Sequence, residues 1–137
     1  MVIIWGYTPS ETLSNNKTIG EGISEIKQMF SALLFKTGVK GFAVKLEEIS
    51  PLSQVKLALV IDSQPISETT ISPEKAGEFS IDLDELVIPK TKIEVVLIVL
   101  KGSIKVSISS IGTGMGFQKI DNEFVPTNHL ALGVVIP

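Results

Sequence analysis

The chain has 137 residues, of which 44% are hydrophobic and 20% charged, a balance that argues against disorder and bounds one domain able to bury about two thirds of its unfolded surface. The net charge is −3 and all 12 basic residues are lysine, so the clustered cations and arginine forks of a nucleic-acid surface are missing. Cysteine is absent, which removes disulfides, thiolate metal ligands and a cysteine nucleophile.

In chain order, residues 2–5 predict a short strand, ended by Gly6 and the turn signal Thr8-Pro9-Ser10. This start has no charged leader and too few apolar residues for a signal peptide. Residues 10–22 are polar and rich in glycine and asparagine, which predicts a loop or an irregular edge. Residues 23–35 fit two patterns. Ile23, Ile26, Phe30, Leu33 and Leu34 recur at helical spacing behind Thr18 and Glu21, which suit a capping box. Met29-Phe30 and Leu33-Leu34-Phe35 suit a strand as well, and strand is the expectation because everything downstream is β, with a short helix near 23–35 as the alternative.

From Val39 the alternation is regular. Phe42, Val44 and Leu46 face one way, Ser50-Pro51 breaks the run, and Val55, Leu57, Leu59 and Ile61 resume it. Residues 62–65 predict a turn, 66–71 a shorter strand, and Ser72-Pro73 a loop running to Gly77. Phe79, Ile81 and Leu83 then point away from Ser80, Asp82 and Asp84. Residues 92–109 are the centre of the pattern. Residues 93–100 are almost wholly apolar, 104–108 alternate, and Lys101-Gly102-Ser103 lies between, which predicts a hairpin whose first strand is covered on both faces. After a glycine-rich bend at 111–116 come a strand at 117–120, a turn at Asp121-Asn122, Phe124-Val125 and a last strand at 130–136. The longest apolar run, 95–100, is far shorter than a membrane span. About eight or nine short antiparallel strands with frequent turn signals predict an all-β fold, a single jelly-roll-like β-sandwich in one domain over residues 1–137.

Several stretches carry a resemblance. Asn16-Lys17-Thr18-Ile19-Gly20, Gln28-Met29-Phe30 and Gly38-Val39-Lys40-Gly41-Phe42-Ala43-Val44-Lys45-Leu46 follow the strand rhythm of jelly-roll β-sandwich modules. So do the strands at 55–61, 66–71 and 79–83, and Pro89-Lys90-Thr91-Lys92 before the long apolar strand. In this the chain resembles the single jelly rolls of viral capsid, turret and tail proteins, and carbohydrate-binding domains. The first branch implies a non-enzymatic virion component, found in the virion or cytoplasm and acting through self-association as a homo-oligomer or with other virion proteins. The second implies a module that binds a carbohydrate or another small ligand. Such modules display several exposed aromatics, and this chain has one Trp and one Tyr. Richness in lysine and isoleucine without arginine suggests an AT-rich genome, and the lack of cysteine suits a thermophile.

High apolar content on a small domain calls for a subunit interface. The residues expected there are Val2, Ile4, Trp5 and Tyr7 from the amino-terminal segment, and Met115 and Phe117 from the glycine-rich bend. Trp5 and Tyr7, with Gly6 between, share one face of an extended segment and form the expected ligand platform on the binding branch. Asp82, Asp84 and Glu85 offer the oxygen ligands calcium prefers, and jelly rolls often hold a structural calcium, although alternation alone also puts Asp82 and Asp84 on the solvent face. No other cofactor is expected.

His129, the only histidine, stands beside Asn128 at the start of the last strand and reads as a turn residue rather than part of a triad or zinc centre. Glu47 and Glu48 are adjacent and face opposite sides of a strand. Asp121-Asn122-Glu123 reads as turn chemistry, and Gly112-Thr113-Gly114-Met115-Gly116 lacks the βαβ context of a dinucleotide loop. Asn16-Lys17-Thr18 is a glycosylation sequon without an export signal. The chain is expected not to be an enzyme.

Overall fold

The computed structural model describes residues 3–7, 15–20, 22–108 and 115–137. In chain order the first strands are β1 (Ile3–Trp5), β2 (Asn15–Ile19), β3 (Glu25–Ser31), β4 (Val39–Ile49), β5 (Gln54–Ile61) and β6 (Gln64–Ile71). They continue as β7 (Gly77–Val87), β8 (Lys92–Lys101), β9 (Ile104–Ile108), β10 (Gly116–Ile120), β11 (Glu123–Thr127) and β12 (Leu132–Ile136). Among the described residues the helical content is one 3₁₀ turn, Ala32–Leu34.

Period-2 patterning decides the class. In β5, Val55, Leu57, Leu59 and Ile61 are buried while the residues between them are half-buried. In β3, Ile26, Gln28 and Phe30 are buried in the same rhythm, so residues 25–31 pack as the expected strand, and the short helix allowed near 23–35 is the 3₁₀ turn at its end. Ser31 ends that strand by accepting the Leu33 N–H at 3.3 Å, and the 3₁₀ turn that follows keeps Ala32 and Phe35 inside while leaving Leu33 and Leu34 exposed.

The strands form two antiparallel six-stranded sheets. One has the order β1-β12-β4-β9-β2, with β7 also paired to β4, and the other runs β11-β10-β3-β8-β5-β6. Successive strands lie in opposite sheets at β2 to β3, β3 to β4, β4 to β5, β6 to β7, β7 to β8, β8 to β9, β9 to β10 and β11 to β12, the alternation of a jelly roll. Phe30, Phe35, Phe42, Leu57, Leu97 and Leu132 anchor the shared core. Among the described residues there are twelve strands instead of about eight or nine, and β2 falls where a loop or irregular edge was expected.

The central hairpin is corrected. β8 lies between β3 and β5, whereas β9 lies between β2 and β4 in the other sheet. Lys101-Gly102-Ser103 therefore carries the chain across the sandwich. Gly102 sits at φ 77, and Ser103 N donates to Ser50 Oγ at 2.9 Å while Ser50 N donates to Ser103 O at 2.9 Å, which pins the crossing to the β4–β5 turn. β8 is also covered unequally on its two faces, although Glu94 on the outer face is buried. Ile93, Val95 and Leu97 are fully buried, but on the other face Val96 and Ile98 are half-buried and Leu100 is exposed.

Two hairpins carry two-residue turns with positive φ at both centres, Asp62 and Ser63 (52 and 67) and Asp121 and Asn122 (51 and 68). That is the type I′ twist that antiparallel strands favour.

Candidate functional site

At one end of the sandwich the β4–β5, β6–β7 and β8–β9 connections meet. Ser50-Pro51-Leu52-Ser53 closes a turn in which Ser53 N donates to Ser50 O at 3.3 Å and Leu52 takes φ 60. Proline second and positive φ third is type II geometry, where the third position favours glycine. Leu52 holds it against a backbone cost of about 1–3 kcal/mol. Its side chain gains nothing from the fold in return, being 85% exposed.

The turn is fixed from beneath. Ser53 Oγ lies 2.7 Å from Ser50 O and 3.0 Å from Ser103 O, sharing one proton between them. A Cβ on Gly102 would stand 2.5 Å from Ser53 Oγ, so only glycine lets the β8–β9 connection approach.

A groove of about 690 Å³ opens beside this turn, lined by residues 49–54 and 72–74 and by Lys101. The side chains of Gln54, Ser72, Glu74 and Lys101 make no hydrogen bond or ion pair with another described residue. The groove thus offers an amide, a hydroxyl, a carboxylate and an ammonium around the apolar surfaces of Leu52 and Pro51. The sequence marks Ser50-Pro51 and Ser72-Pro73 as breaks. Only the strand order brings them together with Lys101, which is why sequence reasoning missed the groove.

The residues singled out from the sequence lie elsewhere and do not form one site. Val2 and residues 112–114 of the glycine-rich bend lie outside the described residues. Trp5 is 46% exposed and meets Phe35 edge to face, with ring centroids 6.3 Å apart. Tyr7 is buried. The expected Trp5–Tyr7 platform is therefore corrected: Gly6 takes φ 128, β1 ends at Trp5, and only the Trp5 ring is exposed. Ile4 packs partly buried against the core. Met115 is half-buried with its carbonyl accepting from Met29 N at 2.8 Å, and Phe117 is half-buried with the Lys27 ammonium 5.5 Å from its ring centroid.

Asp82, Asp84 and Glu85 are exposed on β7 and line a smaller crevice of about 400 Å³. Among the described residues no three acidic, cysteine or histidine side chains are grouped to hold a metal ion, and strand alternation puts Asp82 and Asp84 on the solvent face. His129 bonds through Nε2 to the Gly6 carbonyl and lies edge-on to Phe30, tying the chain before β12 to the chain after β1. Glu47 faces Ser107 Oγ, which donates at 2.8 Å, while Glu48 pairs with Lys105 at 3.2 Å, so the adjacent carboxylates have separate partners.

Among the described residues three groups have shifted acidity. Burial, reinforced by the Glu78 charge and hydrogen bond, raises the Tyr7 phenol well above the usual range. The Thr91 N–H, helped by the Lys90 and Lys92 N–H groups and the Thr91 hydroxyl against some desolvation, lowers the Asp62 carboxyl to about 2. Glu94 is pushed up by burial, but Lys27 at 2.9 Å and Lys92 at 3.4 Å outweigh that and leave it lowered.

No protein-family model matches the sequence, and no curated protein sequence matches it. Among solved structures the chain is similar to the clostridial cysteine protease Cwp84 after propeptide cleavage, at TM-score 0.64 and 9% identity, covering 98% of this chain and 39% of that one. It is also similar to the cysteine protease and lectin-like domains of Cwp84, a surface layer associated protein of Clostridium difficile, at TM-score 0.58 and 10% identity over 92% of this chain and 36% of that one. This chain thus spans less than half the length of either structure, and the likeness is one of fold.

Proposed function

We propose that the domain is a non-catalytic binding module that takes a neutral, hydroxyl-rich ligand, a carbohydrate, in the groove formed by residues 49–54, residues 72–74 and Lys101. The observation that carries this reading is the ring of uncommitted polar side chains, Gln54, Ser72, Glu74 and Lys101, beside the strained and exposed Leu52. Strain held at an exposed apolar residue marks a position kept for something other than folding. Glu74 and Lys101 cancel in charge, which favours a neutral ligand that accepts and donates at once. The structures it resembles include a lectin-like domain, in agreement with a sandwich carried as a binding part of a larger protein. The lone histidine is committed to the Gly6 carbonyl and cysteine is absent, so neither residue type supplies a nucleophile or base to the groove.

The test is a glycan array probed with the labelled domain and with Gln54→Ala and Lys101→Ala. Binding to a subset of glycans, weakened about tenfold or more in each variant, is the expected outcome. Wild-type domain that captures no glycan overturns the reading.

A second reading, an assembly subunit of which a virion component is the narrower form, is supported by one observation. At the opposite end of the sandwich Trp5, Leu33, Leu34, Leu86 and Ile88 are exposed together, and Gly38 would bring a Cβ within 2.7 Å of Leu86 Cδ2 and 3.7 Å of Ile88 Cγ1. Light scattering on a gel-filtration column over a concentration series tests it. A stable oligomer that dissociates in Leu33→Ser with Ile88→Ser supports it, and a monomer throughout removes it.

A further inference from the structure

β7 is 11 residues long and pairs with β4 along one edge, and among the described residues its other edge has no partner strand. Its two faces differ. Phe79, Ile81 and Leu83 point inward yet stay only half-buried, because β6, the neighbouring edge of the other sheet, sets Ser67 and Thr69 opposite the inward Leu59 and Leu57 of β5. The side of the sandwich gapes there as the crevice of about 400 Å³, with Ile66, Leu83 and Val87 in its wall beside Ser67 and the carboxylates of Asp82, Asp84 and Glu85. Facing outward along the same strand are Glu78, Asp82 and Asp84, followed by Glu85, all exposed. Glu78 accepts the Tyr7 hydroxyl, and the other three have no partner among the described residues.

We infer that β7 accepts an added strand from a partner: an extended peptide in which apolar and basic residues alternate. An added strand continues the period of two, so one set of its side chains falls against the gaping apolar side and the other over the carboxylate row. Charge selects among the occupants. A second copy pairing through its own β7 would set carboxylates opposite carboxylates, which is destabilising across a strand pair. An anionic lipid surface is repelled by the same row. A lysine- or arginine-bearing strand meets it with opposite charge, and its apolar residues cover Phe79, Ile81 and Leu83.

The probe is a nine-residue peptide alternating valine and lysine, followed by fluorescence anisotropy at low salt. Controls are an alternating valine–glutamate peptide and a valine–lysine peptide of block order. The valine–lysine alternator binds, slows hydrogen exchange at the free edge of β7, and loses about tenfold in affinity to the Asp82→Lys, Asp84→Lys double variant. Both positions are exposed strand sites, so unchanged circular dichroism confirms that the variant folds. Equal binding of the alternating and block lysine peptides, absence of binding, or binding without protection of β7 each overturns the inference.

Discussion

Tyr7 and Glu78 meet over the outer face of the first sheet, the phenol donating to Glu78 Oε2 at 3.3 Å. Gly6 makes the approach, and Gly133 of β12 leaves room for it: a Cβ there would stand 3.0 Å from Tyr7 Cε1 and 2.6 Å from Ile4 Cγ2. The amino-terminal segment is thus held by one buried ring and by the His129 bond to Gly6.

Tyr7 is the only tyrosine, so its ionisation can be read without ambiguity. Its phenol is raised above the ordinary value of 10.0, so the stability it contributes is complete below that pH and is lost as the pH climbs beyond it. Ultraviolet absorbance is expected to show no phenolate until the domain unfolds. Tyr7→Phe keeps the ring, lowers stability by about 1 kcal/mol, and removes this contribution to alkaline loss.

Asp62 has the opposite sign. Its carboxylate accepts from Thr91 N at 2.6 Å and from Lys90 N at 2.9 Å, latching the β5–β6 turn to the β7–β8 connection. With the carboxyl lowered from 3.8 to about 2, its stabilisation is present above the ordinary value and lost as pH falls through about 2. Asp62→Asn, which tolerates the same positive φ, is expected to melt below wild type at neutral pH. The gap in melting temperature should close between pH 4 and pH 2. A gap constant over that range would place the effect outside the carboxylate.

Leu52→Gly relieves the backbone at φ 60 and gives up an exposed side chain. Urea unfolding is expected to show a gain of about 1 kcal/mol. The same change should weaken ligand capture in the groove, so stability and binding move in opposite directions.

On the outer face of the second sheet, Lys27 pairs with the nearly buried Glu94 at 2.9 Å and lies 3.9 Å from the Phe124 ring centroid. Lys27→Ala leaves Glu94 with Lys92 alone and is expected to cost about 2–3 kcal/mol by urea unfolding. Lys119→Ala, further from Phe124 at 5.6 Å and paired to Glu25 at 3.8 Å, should cost less than about 1 kcal/mol.

Much of the fold was legible because burial acts on alternate residues: Val55 to Ile61 and Phe79 to Leu83 announced their strands and faces directly. Pairing was not. An apolar strand, a glycine and an alternating strand read the same whether the chain folds back in one sheet or crosses to the other. What separates the two here is the Ser50–Ser103 contact, between residues far apart in sequence. Trp5 and Tyr7 misled for a similar reason, since strand geometry was extended through Gly6, where the chain leaves it. The groove depends on three connections meeting at one end, which no local pattern records.

The most direct measurement is a ¹⁵N–¹H correlation spectrum of the domain titrated with a panel of neutral oligosaccharides. The account predicts shifts concentrated at residues 50–54, residues 72–74 and Lys101, with Trp5, Leu33 and Leu86 unmoved. A spectrum that no sugar perturbs, or shifts confined to the opposite end of the sandwich, would contradict it.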